Sequence, residues 1–330
     1  MNGKISISVV IPTFNSSGTI VRTLHSLERS KFDRNKFEVL VIDDGSTDDT
    51  RQRITEFQKK TELQLRYFRQ ANSGPGPARN LGIHNARADV IAFTDADCIV
   101  DEDWLSVIYR SMMIDRNVIV SGDIRTRDFL ISPWKTAPIG SSGVTANLAI
   151  RYSRLNGLLF SEENLFLGED TDFVLRAQAL GYGVTHVAEM KVEHPPHIYS
   201  LGQMIKRVMQ RKNEVLLYKK YGEKVDRSFG WPFRPMAFRL SPATVIFVIA
   251  VVFFLFALKE NHLLFFLCVI AALFLFFILY FYRYAVTNNF NDEKIPMGDR
   301  IKTLIFLLIY IPFFIMARIM GSIKFRFFMV

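Results

Sequence analysis

Hydrophobic positions follow two regimes along this chain. Up to about residue 125 they come in short runs separated by polar, helix-like stretches. The apolar runs Ile5–Ile11, Phe37–Ile42, Leu63–Phe68, Val90–Phe93 and Val118–Val120 are short enough for strands, and the first alternates before stopping at Pro12. Between them, Gly18–Arg29, Asp48–Lys59, Pro77–Ala86 and Asp103–Asp115 have the length and spacing of helices. Alternating strands and helices predict an α/β fold: a mostly parallel sheet with helices on both faces. Ligands of such sheets bind beyond the carboxyl ends of the strands.

The second regime begins near residue 240. Leu240 to Leu258 and Asn261 to Tyr282 are uncharged runs of 19 and 22 residues, separated only by Lys259 and Glu260. Each is long enough to cross a hydrocarbon core about 30 Å thick. Helices apolar on every face need lipid or a large protein around them. We therefore expect a membrane anchor over 240–330, with spans at about 240–258 and 262–282. A third apolar run, Thr303 to Ala317, has 15 uncharged residues and is broken by Pro312. It predicts either a short span or a re-entrant or interfacial helix over 303–320. The preceding segment, 200–239, holds ten basic and three acidic residues, a net charge of +7. That bias predicts a juxtamembrane or interfacial segment on the cytoplasmic side, facing membrane lipids.

Composition sharpens this division. The 330 residues are 49% hydrophobic and 22% charged, with 30 Phe and a formal charge of +9. This balance is the reverse of a disordered chain. The two cysteines, Cys98 and Cys268, lie in segments of different character and exclude a disulfide scaffold. The run Ile5–Ile11 is too short for the core of a signal peptide. Net positive charge does not imply nucleic acid here, because the basic cluster abuts the first apolar run. A domain of residues 1–199 followed by a basic segment and an anchor is the expected organisation, with the catalytic part cytoplasmic.

The candidate chemistry lies at the ends of the expected strands. Pro12, Thr13, Phe14 and Asn15 follow the first; Asp43-Asp44-Gly45-Ser46-Thr47-Asp48 follow the second; Thr94-Asp95-Ala96-Asp97 follow the fourth. Asp43 and Asp44 suit a turn and a helix cap, or a carboxylate bonding base or ribose hydrogens. Asp95 and Asp97, at the end of a buried strand, can hold a hard divalent cation that also binds a diphosphate. Asp101 and Asp103 read instead as the cap and first turn of a helix. Asn72 to Asn80 is a Gly- and Pro-rich loop entering a helix, a place where phosphates can sit. Neither a G-x-x-x-x-G-K-[ST] loop nor a G-x-G-x-x-G fingerprint occurs, which disfavours nucleoside triphosphatases and dehydrogenases.

Taken in order, these segments resemble family 2 glycosyltransferases of the GT-A fold. The resemblance rests on Val9 to Asn15, Val41 to Asp48, Gly74 to Gly82, Phe93 to Asp97, Ala146 to Arg151 and Gly168 to Asp172, with Arg176 and Gly181 downstream. It covers about residues 5–195, and the apolar tail resembles those of membrane-bound members. The resemblance implies that Pro12, Thr13 and Asn15 line a nucleotide pocket and that Asp44, with Asp43, contacts base or ribose. Arg79 would help hold the donor. Asp95 and Asp97 match the metal and sugar-nucleotide motif, Asp97 ranking first as direct ligand of a divalent cation (Mn2+ or Mg2+). Asp170 matches the catalytic base, with Glu169 and Asp172 sharing or supporting that role. His194 lies where some GT-A enzymes place another metal ligand, or is a structural histidine. Glu169 and Asp170 also suit a plain helix start.

The implied function is inverting transfer of a sugar from a nucleotide-sugar donor (UDP- or GDP-type) to a lipid-linked or glycan acceptor. It would serve cell-surface polysaccharide or glycolipid synthesis at the cytoplasmic membrane face. The alternatives are a polysaccharide synthase subunit and a non-catalytic nucleotide-sugar-binding membrane protein. Ser141–Phe166 follows the family pattern loosely, so the acceptor is left open. The stretch Gln203 to Arg211 resembles a motif of processive synthases but lacks its Trp. Neither the donor's identity nor the oligomeric state follows from the sequence.

Overall fold

The structure, a computed structural model, describes residues 4–114, 118–125, 135–136, 145–162, 168–195, 197–198, 201–210, 212, 214–222, 313 and 316–326. Contacts divide the chain into two compact units. One is Met1–Asp128 with Ala137–Pro195; the other is Phe129–Thr136 with Pro196–Val330.

The first unit opens with β1 (Ile7–Thr13), α1 (Ile20–Glu28), β2 (Phe37–Asp43), α2 (Thr50–Gln58), β3 (Leu65–Arg69), α3 (Pro75–Asn85) and β4 (Val90–Phe93). It continues with β5 (Ile99–Val100), α4 (Trp104–Met113), β6 (Ile119–Arg125), β8 (Leu148–Arg151), α5 (Glu169–Ala179) and β9 (Val184–Glu193). The eight-stranded sheet runs β3-β2-β1-β4-β8-β6-β9-β5. The strands β3, β2, β1 and β4 pair in parallel, as the alternating pattern predicts. Beyond β4 the sheet is mixed. Strand β8 runs antiparallel to both β4 and β6, and β5 antiparallel to β9, while β6 and β9 are parallel. The mostly parallel sheet expected from the sequence therefore holds for its first half only. Strands β5, β8 and β9 have no long apolar run to announce them.

The central strands are buried on both faces, which is why β2 (Phe-Glu-Val-Leu-Val-Ile-Asp) tolerates little alternation. Its interior Glu38 accepts from the Ser8 hydroxyl at 2.8 Å and pairs with Arg66 at 2.9 Å. A carboxylate so placed needs such partners. One face of the sheet packs on α1, α2 and α4 through Leu24, Leu27, Ile54, Trp104 and Ile108. The other packs on α3 and α5 through Ala78, Ile83, Phe173 and Ala177. A Cβ on Gly82 of α3 would lie 2.3 Å from Val10 of β1, so only glycine lets helix and strand approach this closely.

Asn147 ties the later strands together. Its Oδ1 accepts from the Trp104 indole at 2.8 Å, and its Nδ2 donates to the Asp123 and Met190 carbonyls at 2.9 Å each. It lies at an irregularity where the β6–β9 register jumps from Gly122–Val187 to Asp123–Lys191. From the last residue of the jump onward, Met190, Val192 and His194 alternate on the buried side.

The second unit contains β7 (Lys135–Thr136), paired antiparallel with β10 (His197–Ile198), then α6 (Leu201–Gln210) and α7 (Glu214–Tyr221). A further helical stretch covers 316–325. The spans expected at 240–258 and 262–282, and the first part of 303–320, lie outside the described residues. No helix among the described residues is long and apolar enough to cross a membrane.

Asn147→Ala leaves a buried indole N–H, a buried carbonyl and a partly buried one without their partner. We expect a loss of about 2–4 kcal/mol of stability. Thermal unfolding of the full chain followed by tryptophan fluorescence, to which Trp104 contributes, measures it.

Candidate active site at the carboxyl ends of the strands

Three neighbouring strands deliver the polar residues. The chain leaves β1 through Pro12 and Thr13, and Asn15 takes a left-handed backbone, φ 51°. Asparagine tolerates that conformation better than most residues. Asn15 Oδ1 accepts from the Thr47 backbone N–H at 2.8 Å, and its own N–H donates to Ser46 Oγ at 2.9 Å. The loops after β1 and β2 are thereby fastened together. Thr13 is buried, and its hydroxyl has no hydrogen-bond partner among the described residues.

Asp43 and Asp44 are both buried and both organise loops. Asp43 accepts from the Ser46 N–H and the Tyr67 hydroxyl. Burial and that bond to Asp43 raise the Tyr67 phenol above its usual range. Asp44 accepts from the Gln70 side chain and from the Ser73 and Gly74 N–H groups, each at 2.8 Å. The capping chemistry anticipated for this region is also present. Asp48 accepts from Thr50 and Ser17, bonds that outweigh burial and lower its carboxyl to about 2. A carboxylate oxygen can accept two hydrogen bonds, so Asp43 and Asp44 retain acceptor capacity.

Gly74 caps α3 with φ 96°, and the helix begins at Pro75, two residues before the expected start. Arg79 then sits one turn in. Its guanidinium is 4% exposed and lies between two acids: Nη1 donates to Glu169 at 2.9 Å and Nη2 to Asp95 at 3.3 Å. Burial pulls the arginine's proton affinity down, but Glu169 and Asp95 more than offset it. Its charge also lies over the Phe160 ring, 5.5 Å from the centroid. Phe160 is clamped by Asn80, which exchanges two hydrogen bonds with its backbone at 2.8 and 3.0 Å, and it stacks on Phe173 at 4.3 Å.

Glu169, Asp170 and Asp172 open α5 after Gly168, which has φ 96°. The plain helix-start reading is therefore correct as far as it goes, since acids stabilise a helix N-terminus. Asp172 is buried and bound to Arg176 at 2.8 Å. Asp170 lies between Glu169 and Asp172 in this first turn. Burial, then the charge of Glu169, push its carboxyl up to about 7, with Arg79 pulling the other way. It can hold or release a proton near neutrality.

The ends of β4 and β9 supply a second cluster. Ligand atoms of Asp95, Asp97, Cys98 and His194 all lie within 4.8 Å of one another. His194 Nε2 is 3.4 Å from Asp97, and its Nδ1 lies 2.8 Å from the Pro195 carbonyl. If Nδ1 carries the proton, Nε2 is left as an electron-pair donor. Two carboxylates and one imidazole fit a divalent cation such as Mn2+ or Mg2+, and the thiol adds a softer donor. Without a metal, burial pushes the Cys98 thiol well up, so it remains protonated.

All twelve residues singled out from the sequence are described. Arg79 joins Asp95 and Glu169, and His194 joins Asp95 and Asp97. Asp43, Asp44 and Asn15 form a separate loop-holding group beside them. Sequence reasoning missed Cys98, Asn80, Phe160 and Gln70. Cys98 directly follows Asp97, so adjacency was its signal. Phe160 lies in the stretch with the weakest pattern and left none.

A family model described as "Glycosyl transferase family 2" matches residues 8–179, more than half of the chain. The poly(ribitol-phosphate) beta-N-acetylglucosaminyltransferase TarS of Staphylococcus aureus is 35% identical over 98 residues, 30% of this chain and 17% of that protein. The glycosyltransferase AglE of Haloferax volcanii is 24% identical over 214 residues, 61% of this chain and 70% of that protein. The chain thus spans about a sixth of TarS in this match. Among solved structures, mannosyltransferase PcManGT from Pyrobaculum calidifontis, in complex with GDP-Man and Mn2+, superposes with a TM-score of 0.55. That match has 18% identity and covers 98% of this chain and 87% of that one. S. aureus TarS 1–349 in complex with UDP-GlcNAc gives 0.51 at 21% identity, covering 69% and 73%. These likenesses establish a GT-A-like fold.

Arg79→Met strands the buried Glu169 without its counter-charge. We expect a loss of about 3–5 kcal/mol of stability, the usual cost of breaking a buried ion pair from one side. Arg79→Lys, which keeps the charge but not the fork, recovers only part of it. Denaturation midpoints of the three proteins, compared at one pH, test this.

Proposed function

The chain belongs to glycosyl transferase family 2, and from that premise we propose that it is an inverting, metal-assisted glycosyltransferase. It would take a sugar from a UDP- or GDP-type donor and pass it to a lipid-linked or glycan acceptor at the cytoplasmic face of a membrane. Cell-surface polysaccharide or glycolipid synthesis is the matching role. The observation that carries this reading is the pairing, across one buried guanidinium, of two clusters: the metal-competent Asp95/Asp97/His194 set and the Glu169/Asp170 pair.

Each residue then has a task. Thr13, Asn15, Asp43 and Asp44, with Pro12 beside them, wall the nucleoside end of the donor. Asp97, Asp95 and His194 hold the divalent cation, which would stabilise charge on the departing diphosphate. Arg79 keeps Asp95 and Glu169 in place. Asp170 accepts the proton of an acceptor hydroxyl as that oxygen bonds to the anomeric carbon. The bond from that carbon to the diphosphate breaks in the same displacement, which inverts the configuration. A carboxylate with its proton affinity raised toward neutrality is a stronger base than an exposed one.

The sign of the pH dependence follows. Asp170 must be ionised to act, and its carboxyl is pushed up to about 7. kcat/KM should therefore fall about tenfold per unit as pH drops below that value, and level off above it. Asp170→Asn should lower turnover by about 10²–10⁴-fold. Asp97→Asn should abolish the response to Mn2+ or Mg2+. The deciding experiment incubates purified protein with a panel of nucleotide sugars and native lipid extract, then reads the lipids by mass spectrometry. A product from one donor, lost in both variants, is expected. No product with any donor, or full activity in both variants, overturns the assignment.

A further inference from the structure

The helical stretch 316–325 is built inside out. A helix on a water-soluble protein buries its apolar residues and exposes its polar ones. Here Ala317, Arg318, Gly321 and Ser322 are the buried positions. Met316, Ile319, Met320 and Ile323 face outward, exposed by 42, 38, 45 and 74%. Their spacing, i, i+3, i+4 and i+7, makes one continuous stripe.

The buried side is fixed to the segment around α7. Arg318 lies over the Tyr218 ring, 5.7 Å from its centroid. Lys219 donates to the Phe325 carbonyl at 2.8 Å, closing the end of the helix. A Cβ on Gly321 would lie 2.4 Å from the Lys212 carbonyl and 2.8 Å from Val215, so the two segments meet backbone to backbone. Rotating the helix to hide its stripe would replace this close contact with bulky side chains. The outward stripe is therefore imposed by the packing.

We infer that the stripe Met316/Ile319/Met320/Ile323 lies in the interfacial layer of an anionic lipid bilayer, and that the helix is the in-plane foot on which α7 stands. The inference rests on the proposed membrane location but not on the identity of donor or acceptor. Two features select lipid as the occupant. Lys219, Lys324 and Arg326 gather at the C-terminal end of the helix, all exposed, where they meet anionic headgroups while the stripe enters acyl chains. The residues that lead into the helix, Thr303 to Ala317, carry no charge, so the chain arrives from an apolar stretch. A stripe with cations at its end is the pattern of an interfacial helix, whereas a span would carry apolar residues on all faces.

The test uses the full chain with Cys268→Ser, reconstituted into phosphatidylcholine–phosphatidylglycerol vesicles. A bimane label is placed in separate proteins at Ile323→Cys or at the exposed Lys220→Cys. Co-flotation is checked first, then quenching by nitroxide-labelled lipid and by aqueous iodide. We expect co-flotation, with the label at 323 quenched several-fold more by lipid than the label at 220, and the reverse order with iodide. If the protein floats but the label at 323 is as open to iodide as that at 220, the inference falls while the membrane reading stands. If the label is shielded from iodide yet untouched by nitroxide lipid, the stripe is covered by protein and the inference falls likewise. Failure to co-float overturns both readings.

Discussion

The candidate site depends on one buried guanidinium. Asp95, Asp97, Glu169 and Asp170 bring four carboxyl groups to the neighbourhood of this side chain, an arrangement that repels itself unless positive charge is supplied. Arg79 supplies it from within, bonded to Asp95 on one side and Glu169 on the other. A planar fork can satisfy two carboxylates at once, which an ammonium cannot do with the same rigidity. It bonds Glu169 directly, while Asp170, the next residue, accepts from the Thr171 N–H instead. Burial and the charge of Glu169 displace the Asp170 carboxyl toward neutrality.

That guanidinium is held by packing some distance from the chemistry. Gly82 lets α3 settle on β1, and Asn80, on the same helix, grips the Phe160 backbone. Phe160 offers its ring to Arg79 and its other contacts to Phe93 and Phe173. The segment Gly74 to Gly82 therefore acts less as a phosphate loop alone than as a three-way joint between β1, the chain near Phe160 and α5.

Much of this was legible in the sequence because local chemistry and position coincide there. The runs that became β1, β2 and β4 are buried at almost every position, and the acids that follow them could be placed by counting. The later strands were obscure for the opposite reason. β5 and β8 are two and four residues long, and β9 is largely exposed over its first half. Their places are set by Asn147 and by pairing with distant strands, neither of which leaves a local pattern. Asp43 and Asp44 were read as both turn formers and ligand contacts. Their bonds to Ser46, Tyr67, Gln70, Ser73 and Gly74 belong to the first reading and leave room for the second.

The register jump between β6 and β9 has a consequence for how this strand can change. Ala188, Glu189 and Met190 have no counterpart opposite Gly122 and Asp123, so the strand gains an odd number of residues there. Side chains alternate with a period of two, and an odd insertion exchanges the two faces of everything that follows. His194 owes its inward imidazole to that parity. Removing or adding a single residue between Met190 and His194 would send the ring outward and bring a neighbour in. Length changes in this stretch are thus quantised: an even step keeps the ring on its face but moves it about 6.6 Å along the strand, and an odd one turns it away.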